Sequence, residues 1–310
     1  MPSSVRTDPS IDDSSTGAVS NQGAQSPLDI PQPAPARSCF VDVDAVRLHY
    51  LDYGDEQHRG QVRPTLLCVH GSAANAHWFD YVADELRAEY RVLSLDQRGH
   101  GDSTWAADAN YTYARYALDL AAVIEHIGVD DLVLVGHSMG GMVSLACTAT
   151  TPQRIGKLVI VDSTMILSAE RVSAMRGIGD RPGRSYDSQQ AYVDNYRLRP
   201  AGAREAPNIV RHLAATGCRE FDDGQWRNKF DRKVYASRVR IEGMPFWDKI
   251  KIPSLYIKGG LSDRMNDEIA AQIRARCAAI EFAEVPAANH HVTLDNPVGF
   301  NAALRQFVND

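Results

Sequence analysis

Leu132–Gly141 reads Leu-Val-Leu-Val-Gly-His-Ser-Met-Gly-Gly, and this stretch decides the fold. Its apolar first half is long enough for a buried strand, and the residues after it suit a helix that Pro152 ends. Between the two, Gly136, Ser138 and Gly140 form the pattern G-x-S-x-G, a tight strand-to-helix turn that exposes a serine at the carboxyl edge of a sheet. The free N–H groups of the following helix N-terminus favour a developing negative charge there. The stretch therefore predicts a nucleophilic serine on an α/β scaffold.

Short apolar runs alternate with helical segments over much of the chain. Runs of continuous apolarity, typical of strands covered on both faces of a parallel sheet, occupy residues 65–70, 91–96, 132–136, 158–162, 254–259 and 280–285. Residues 46–53 alternate instead and suit an early antiparallel strand. The clearest helix between the strands covers 113–127, with Thr112 as N-cap and Gly128 as its stop. This alternation predicts a layered α/β fold with a parallel sheet.

Two segments depart from the alternation and suggest domain boundaries. Residues 1–37 are rich in Ser, Asp, Gln, Pro and Ala, cannot offset their ordering entropy by burial, and are expected to form a disordered tail. Residues 165–247 contain no convincing sheet strand and are too long for a plain loop, so we expect an inserted helical cap. Residues 38–164 and 248–310 would then form the two parts of one core.

The charge of the predicted cap differs from that of the remaining chain. The cap has 15 Lys and Arg against 10 Asp and Glu, whereas the other residues have 18 against 29. We interpret the cap arginines as a solvated face, with recognition of a carboxylate as the alternative.

Composition excludes several kinds of partner. The net charge of −6 gives no overall basic field, so we expect no nucleic acid partner, and no apolar run approaches the ~18 residues of a membrane-spanning helix. The five cysteines are widely spaced without a CxxC pair, which argues against a disulfide framework or a zinc site. Without a recognisable signal peptide, a reduced cytoplasmic location is expected. The oligomeric state is left open.

The serine needs a base, and the base needs an acid that orients it. Asp263 follows the strand at 254–259 and His290 follows the strand at 280–285, so both can reach the edge that carries Ser138. Asp162, at the end of an earlier strand, is an alternative acid.

Five ordered motifs resemble the α/β-hydrolase superfamily, in its cap-bearing serine hydrolase, esterase-like branch. They are His70-Gly71, Asp96–Ser103, Gly136–Gly141, Gly260–Arg264 and His290–Pro297. The resemblance runs from about residue 40 to the C-terminus and omits only the cap and the tail. It implies a mostly parallel central sheet of about eight strands, flanked by helices, with an inserted helical cap.

The resemblance also implies roles for individual residues. It makes Ser138 the nucleophile, Asp263 the acid and His290 the base. Asp263 is preferred to Asp162 because Asp263-Arg264 matches the commoner motif.

Two adjacent histidines compete for the role of the base. In the family, the catalytic histidine is followed by an acidic residue five positions later and by a proline seven positions later. Asp295 and Pro297 fit this spacing from His290 and miss it by one from His291. His291 is therefore interpreted as a packing or supporting residue.

The same resemblance suggests how the reacting group is surrounded. The backbone N–H groups of Ser72 and Met139 would form an oxyanion hole, in which one donor is typically worth about 3–4 kcal/mol. His77, Trp78 and His137 are candidate pocket residues, although Trp78 suits the core equally well.

These features together predict hydrolysis of small carboxylic esters through an acyl-enzyme, with a small-molecule substrate and neither a metal nor an organic cofactor. Ser138 argues against the superfamily members that carry Asp at this turn. A carbon–carbon bond hydrolase, a lactonase and a cofactor-free haloperoxidase-like enzyme remain alternatives, the first disfavoured because His291 stands where many of them have Trp. A receptor-like binding protein with a retained triad is the alternative of another class.

Overall fold

A computed structural model of the chain describes Pro33 and residues 35–54, 62–202 and 206–310. Its strands are β1 (Arg37–Val43), β2 (Val46–Asp52), β3 (Thr65–Val69), β4 (Arg91–Leu95), β5 (Leu132–His137), β6 (Ile155–Val161), β7 (Cys218–Glu220), β8 (Trp226–Asn228), β9 (Ser254–Gly259) and β10 (Ile280–Val285).

Eight of these strands form one sheet in the order β1-β2-β4-β3-β5-β6-β9-β10. The pairs β1–β2 and β2–β4 are antiparallel, and all later neighbours are parallel. This confirms the predicted mostly parallel sheet of about eight strands. Because β5, β6, β9 and β10 are parallel neighbours, the loops after them meet at one edge.

Helices connect and follow these strands. They are α1 (Asp80–Leu86), α2 (Tyr113–Ile127), α3 (Met139–Thr150), α4 (Ala169–Gly179), α5 (Gln189–Asn195), α6 (Pro207–Thr216), α7 (Lys233–Ala236), α8 (Met244–Trp247), α9 (Asp267–Arg276), α10 (Val292–Asp295) and α11 (Pro297–Asn309), and a 3₁₀ helix covers Ala76–Phe79. Thr112 caps α2 by accepting from the Arg115 N–H, and Gly128 ends it at a φ of 68°.

Apolar residues of the central strands are buried on both faces of the sheet. In β5, Leu134 packs on the face covered by α2, α3 and α9, whereas Val133 and Val135 pack on the face covered by α1 and α11. Continuous apolar runs are therefore required here, because each successive side chain enters a different core layer.

The segment predicted as a cap lies between β6 and β9. It contains α4 to α8 and a separate two-stranded sheet of β7 and β8, which the sequence did not predict. Its α6 is joined to the core by a buried pair, since His212 Nε2 lies 2.6 Å from Asp80 Oδ2. The division into tail, core and cap remains a proposal.

The fold starts with a strand, β1, that the sequence did not predict. β1 begins at Arg37, inside the segment assigned to the tail, and pairs along its full length with β2. Residues 1–32 and Ala34 of that segment lie outside the described residues.

The helices and the cysteines can be compared with the expectations about membrane spans and disulfides. Among the described residues, no helix combines the length and apolarity needed to cross a bilayer. All five cysteines are free thiols, four of them buried. The cytoplasmic location stays a prediction.

Candidate active site

Ser138 lies at the turn between β5 and α3, in strained backbone. Its φ of 53° is in the left-handed region, which non-glycine residues rarely adopt. The neighbouring glycines are required by close backbone approach. A Cβ on Gly136 would lie 2.5 Å from the Gly140 carbonyl oxygen, and one on Gly140 would lie 2.2 Å from the Val69 carbonyl oxygen. The G-x-S-x-G spacing thus follows from a turn that has no room for a Cβ two residues before and two residues after the serine.

A chain of hydrogen bonds runs from Ser138 through His290 to Asp162. His290 Nε2 lies 3.0 Å from Ser138 Oγ, and His290 Nδ1 lies 2.7 Å from Asp162 Oδ2. Asp162 is fully buried at the end of β6, and its carboxylate also accepts from Ser262 Oγ at 2.7 Å and from the Gly259 N–H at 3.2 Å. The structure therefore brings Ser138 and His290 together as expected, with Asp162 as the carboxylate.

The prediction that Asp263 orients the imidazole is wrong for this structure. The Asp263 side chain is 94% exposed, and its ion pair is with Arg264 at 3.8 Å. After β9 ends at Gly259, the chain turns so that Ser262 points inward and Asp263 points to solvent. The alternative acid, Asp162, has a φ of 43°, which turns the backbone directly after β6.

The pKa values of His290 and Asp162 are both shifted by burial, and the shift keeps the His290 imidazole neutral at ordinary pH. Burial lowers the pKa of His290 to about 3, and the neighbouring His291, Arg264 and Arg171 act in the same direction. Burial raises the pKa of Asp162, against the hydrogen bonds from Ser262 and Gly259. The neutral imidazole can accept a proton from Ser138, and the imidazolium would gain its stabilisation from the adjacent carboxylate.

Two other histidines pack beside His290. His137 Nε2–H donates to the His290 carbonyl oxygen at 2.8 Å, and His291 Nε2–H donates to the Pro200 carbonyl oxygen at 2.9 Å. Burial lowers the pKa of both imidazoles, so both are neutral donors. Trp78 stacks on the His137 ring at 6.2 Å between centroids.

The two expected oxyanion donors lie beside Ser138. Within the described residues, the backbone N–H groups of Ser72 and Met139 donate no hydrogen bond. Their side chains touch each other, since Ser72 Oγ lies 3.0 Å from Met139 Sδ, and Arg238 Nη2 donates to Ser72 Oγ at 2.9 Å. Arg238 is 2% exposed, and its Nε and Nη1 find no partner in the described part of the chain. The buried Arg238 guanidinium thus contacts the side chains of both Ser72 and Met139.

A cavity of about 480 Å³ opens onto the serine and the imidazole. Trp78 and His137 line it, as expected. His77 does not, which corrects the prediction: its Nδ1 lies 2.9 Å from Asp80 Oδ2, where Asp80 also accepts from His212. Four arginines that the sequence did not single out for the pocket do line it, namely Arg171, Arg197, Arg199 and Arg264.

The model of the alpha/beta hydrolase family matches residues 66–303, which is most of the chain. This chain belongs to the α/β-hydrolase family. The match spans β3 to α11, so it covers every element that carries a residue of the site described above. The protein is accordingly a hydrolase.

Named relatives and a solved structure agree with this assignment. The hydrolase is 27% identical to the 3-hydroxybutyrate-oligomer hydrolase of Cupriavidus necator, over 87% of this chain and 95% of that protein. It is 28% identical to the esterase YbfF of Escherichia coli, over 79% and 93% of the two chains. The crystal structure of E-2-(acetamidomethylene)succinate hydrolase superposes with a TM-score of 0.75 at 22% identity, covering 89% of this chain and all of that one, and shows the shared fold.

Sequence reasoning missed some site residues of this hydrolase because their signal is tertiary. Arg238 belongs to no motif, and Ser262 and Arg264 lie in the Gly260–Arg264 motif, in which the resemblance assigned a role to Asp263 alone. Asp162 had a signal, since it ends a continuous apolar strand at the correct edge of the sheet, and it was offered as the alternative acid.

Proposed function

We propose that this hydrolase is a serine esterase that cleaves small carboxylic esters through an acyl-enzyme. The hydrogen-bonded chain Ser138–His290–Asp162, at 3.0 and 2.7 Å, is the observation that carries the proposal. The names of two relatives, an esterase and a 3-hydroxybutyrate-oligomer hydrolase, support it.

In the first half of the reaction, His290 Nε2 accepts the proton of Ser138 as Oγ attacks the carbonyl carbon. Asp162 holds the Nδ1–H tautomer and stabilises the imidazolium that forms. The imidazolium then donates its proton to the leaving alkoxide, which releases the alcohol and leaves an acyl group on Ser138.

In the second half, His290 accepts a proton from water, which attacks the acyl carbonyl, and the same proton is returned to Ser138 Oγ as the acid leaves. The Ser72 and Met139 N–H groups would bind the oxyanion of both tetrahedral intermediates. Arg238, buried next to both residues, would position this pair and add positive potential.

The experiment is a panel of chromogenic esters of increasing acyl length, measured for the parent protein and for Ser138→Ala. We expect preference for short acyl chains and a loss of kcat of at least about a thousandfold in the variant, since removal of a triad member leaves only binding and oxyanion stabilisation. Equal turnover by the parent protein and Ser138→Ala would exclude the acyl-enzyme mechanism.

Lactones, carbon–carbon bond substrates and peracid formation belong in the same panel as the remaining chemistries of this scaffold. A receptor-like protein with a slow triad would give a burst without continued turnover. Steady turnover well above about one per second excludes that alternative.

A further inference from the structure

The charged residues that line the cavity above Ser138 are all cationic. Four arginines line it, namely Arg171, Arg197, Arg199 and Arg264, and no aspartate or glutamate is among the described lining residues. A cavity of about 480 Å³ with this lining attracts an anion the size of a small metabolite.

Two of these arginines act electrostatically on the catalytic imidazole. Arg264 lies in the loop after β9 and is 19% exposed, and Arg171 lies in the first turn of α4. Both arginines line the same cavity as His290. Each acts with burial to lower the pKa of His290, and Arg171 acts with burial to lower the pKa of Arg264.

The two cations are poorly neutralised by the protein. Within the part of the chain that the structure describes, the Arg171 side chain has no carboxylate within 4.0 Å and no hydrogen-bond partner. Arg264 has Asp263 at 3.8 Å, beyond hydrogen-bond distance, and that carboxylate is 94% exposed. A pair of repelling guanidinium groups at the edge of a reaction cavity is stabilised when a substrate carboxylate binds between them.

The sheet order indicates which half of the substrate this carboxylate belongs to. The loop after β3, with the Ser72 amide, lies on one side of β5, whereas β6, β9 and β10 lie on the other. A carbonyl oxygen directed at Ser72 and Met139 therefore points away from Arg264. The leaving oxygen must lie near His290, which protonates it, and His290 and Arg264 come from the neighbouring strands β10 and β9.

We propose that Arg171 and Arg264 bind a carboxylate on the leaving-group half of the substrate, so that the hydrolase acts on small esters formed at the hydroxyl of a hydroxy acid. This inference rests on the proposed function, because it assumes that Ser138 attacks the ester and that His290 protonates the leaving alcohol. Arg171 belongs to the cap segment and Arg264 to the core, so a carboxylate bound by both would also link the cap segment to the core.

The test compares matched esters that differ in one charge. 3-Acetoxybenzoate and its methyl ester share the acyl group and present a charged or a neutral leaving group, whereas phenyl hemisuccinate and its methyl ester place the charge in the acyl half. We expect the ratio of kcat/KM, charged over neutral, to exceed about ten for the first pair and to stay near one for the second.

Arginine variants assign the preference to the two side chains. In Arg171→Met and Arg264→Met, the ratio for the acetoxybenzoate pair should fall at least about tenfold, mainly through a higher KM of the charged ester, and Arg264→Lys should restore part of it. Arg184→Met is the control: it removes the same charge from the cap segment, at an exposed residue outside the cavity lining, and should leave the ratio unchanged.

Three results would overturn the inference. The first is equal kcat/KM for the two acetoxybenzoates, and the second is a higher kcat/KM for the charged than for the neutral hemisuccinate ester. The third is an equal loss of kcat/KM for charged and neutral esters in both arginine variants, which would indicate a structural role. The proposed function fails by a different result, namely hydrolysis of the neutral esters that persists in Ser138→Ala.

Discussion

Asp162 and Asp263 give a matched pair of variants at the scale of single residues. Asp162→Asn keeps the shape of the side chain but removes the acceptor that fixes the Nδ1–H tautomer of His290. We expect kcat for a short neutral ester to fall by about 10⁴, as for other triads that lose the carboxylate. Steady-state kinetics of the purified variant measure the loss.

Asp263→Asn is the control for that variant, because its side chain is exposed to solvent. We expect its kcat to stay within about twofold of the parent value. If the losses were reversed between the two variants, Asp263 would be the acid in solution and the geometry described here would not be the reactive one.

The low pKa of His290 predicts an unusual pH profile. In the proposed mechanism the free enzyme is active only when this imidazole is neutral. Because burial lowers its pKa to about 3, kcat/KM should rise with pH through a midpoint below the ordinary 6.5. For a neutral ester the profile should be flat between about pH 6 and about pH 8. Initial rates after brief exposure to each pH, with folding checked by circular dichroism, measure it.

Arg264→Met should move that midpoint towards higher pH, because it removes a cation that disfavours the imidazolium. An unchanged midpoint would mean that the guanidinium lies too far from His290 to act on it electrostatically.

At the scale of elements, the β5–α3 turn depends on the absence of two Cβ atoms. A Cβ on Gly140 would lie 2.2 Å from the Val69 carbonyl oxygen and 2.5 Å from that of His70, both in backbone that cannot move aside cheaply. Gly140→Ala should therefore lower the free energy of unfolding by about 3 kcal/mol or more. The shift of the urea midpoint at constant slope measures it.

Gly177 provides the opposite case in α4. Nothing lies within 4 Å of a Cβ built there, so Gly177→Ala should be neutral or stabilise by about 0.5–1 kcal/mol, as expected for a helical glycine. Equal destabilisation by both substitutions would show that close approach does not explain the Gly140 effect.

The elements that sequence reasoning predicted well are those whose signal is local. The strand, turn and helix around Ser138 follow from apolar runs and glycine spacing, and so does α2 with Thr112 and Gly128 at its ends. β1 was missed because its outer residues are exposed, which gives it only a weak apolar pattern next to a polar tail.

The orienting acid was harder to predict, because Asp162 and Asp263 both follow strands that end at the same sheet edge. Only the turn after each strand decides which carboxylate points inward. That turn is fixed by tertiary hydrogen bonds, such as the one from Ser262 Oγ to Asp162.

At the scale of the whole molecule, the charges are distributed unevenly. The net charge is −6, although the cap segment has an excess of Lys and Arg and the cavity is lined by arginines. We expect the cap segment to steer anionic substrates towards the cavity against the overall repulsion. Raising the ionic strength from about 0.02 M to about 0.5 M should then lower kcat/KM for 3-acetoxybenzoate several-fold.

Methyl 3-acetoxybenzoate is the control for the salt dependence, and its kcat/KM should change less than about twofold. A similar decrease for both esters would point to an effect of salt on the protein rather than on attraction of the charged substrate.

The position of Asp162 at the end of β6 has a consequence for protein engineering. Ser163, the next residue, donates its Oγ–H to the Ser138 carbonyl oxygen at 2.6 Å, and its own carbonyl oxygen accepts from Tyr256 at 2.7 Å. The backbone that carries Asp162 thus leads directly into the segment predicted as a cap. A chimera that receives a new lid from another hydrolase should be spliced after Thr164, because an earlier junction would exchange Asp162 or the hydrogen bonds of Ser163 together with the lid.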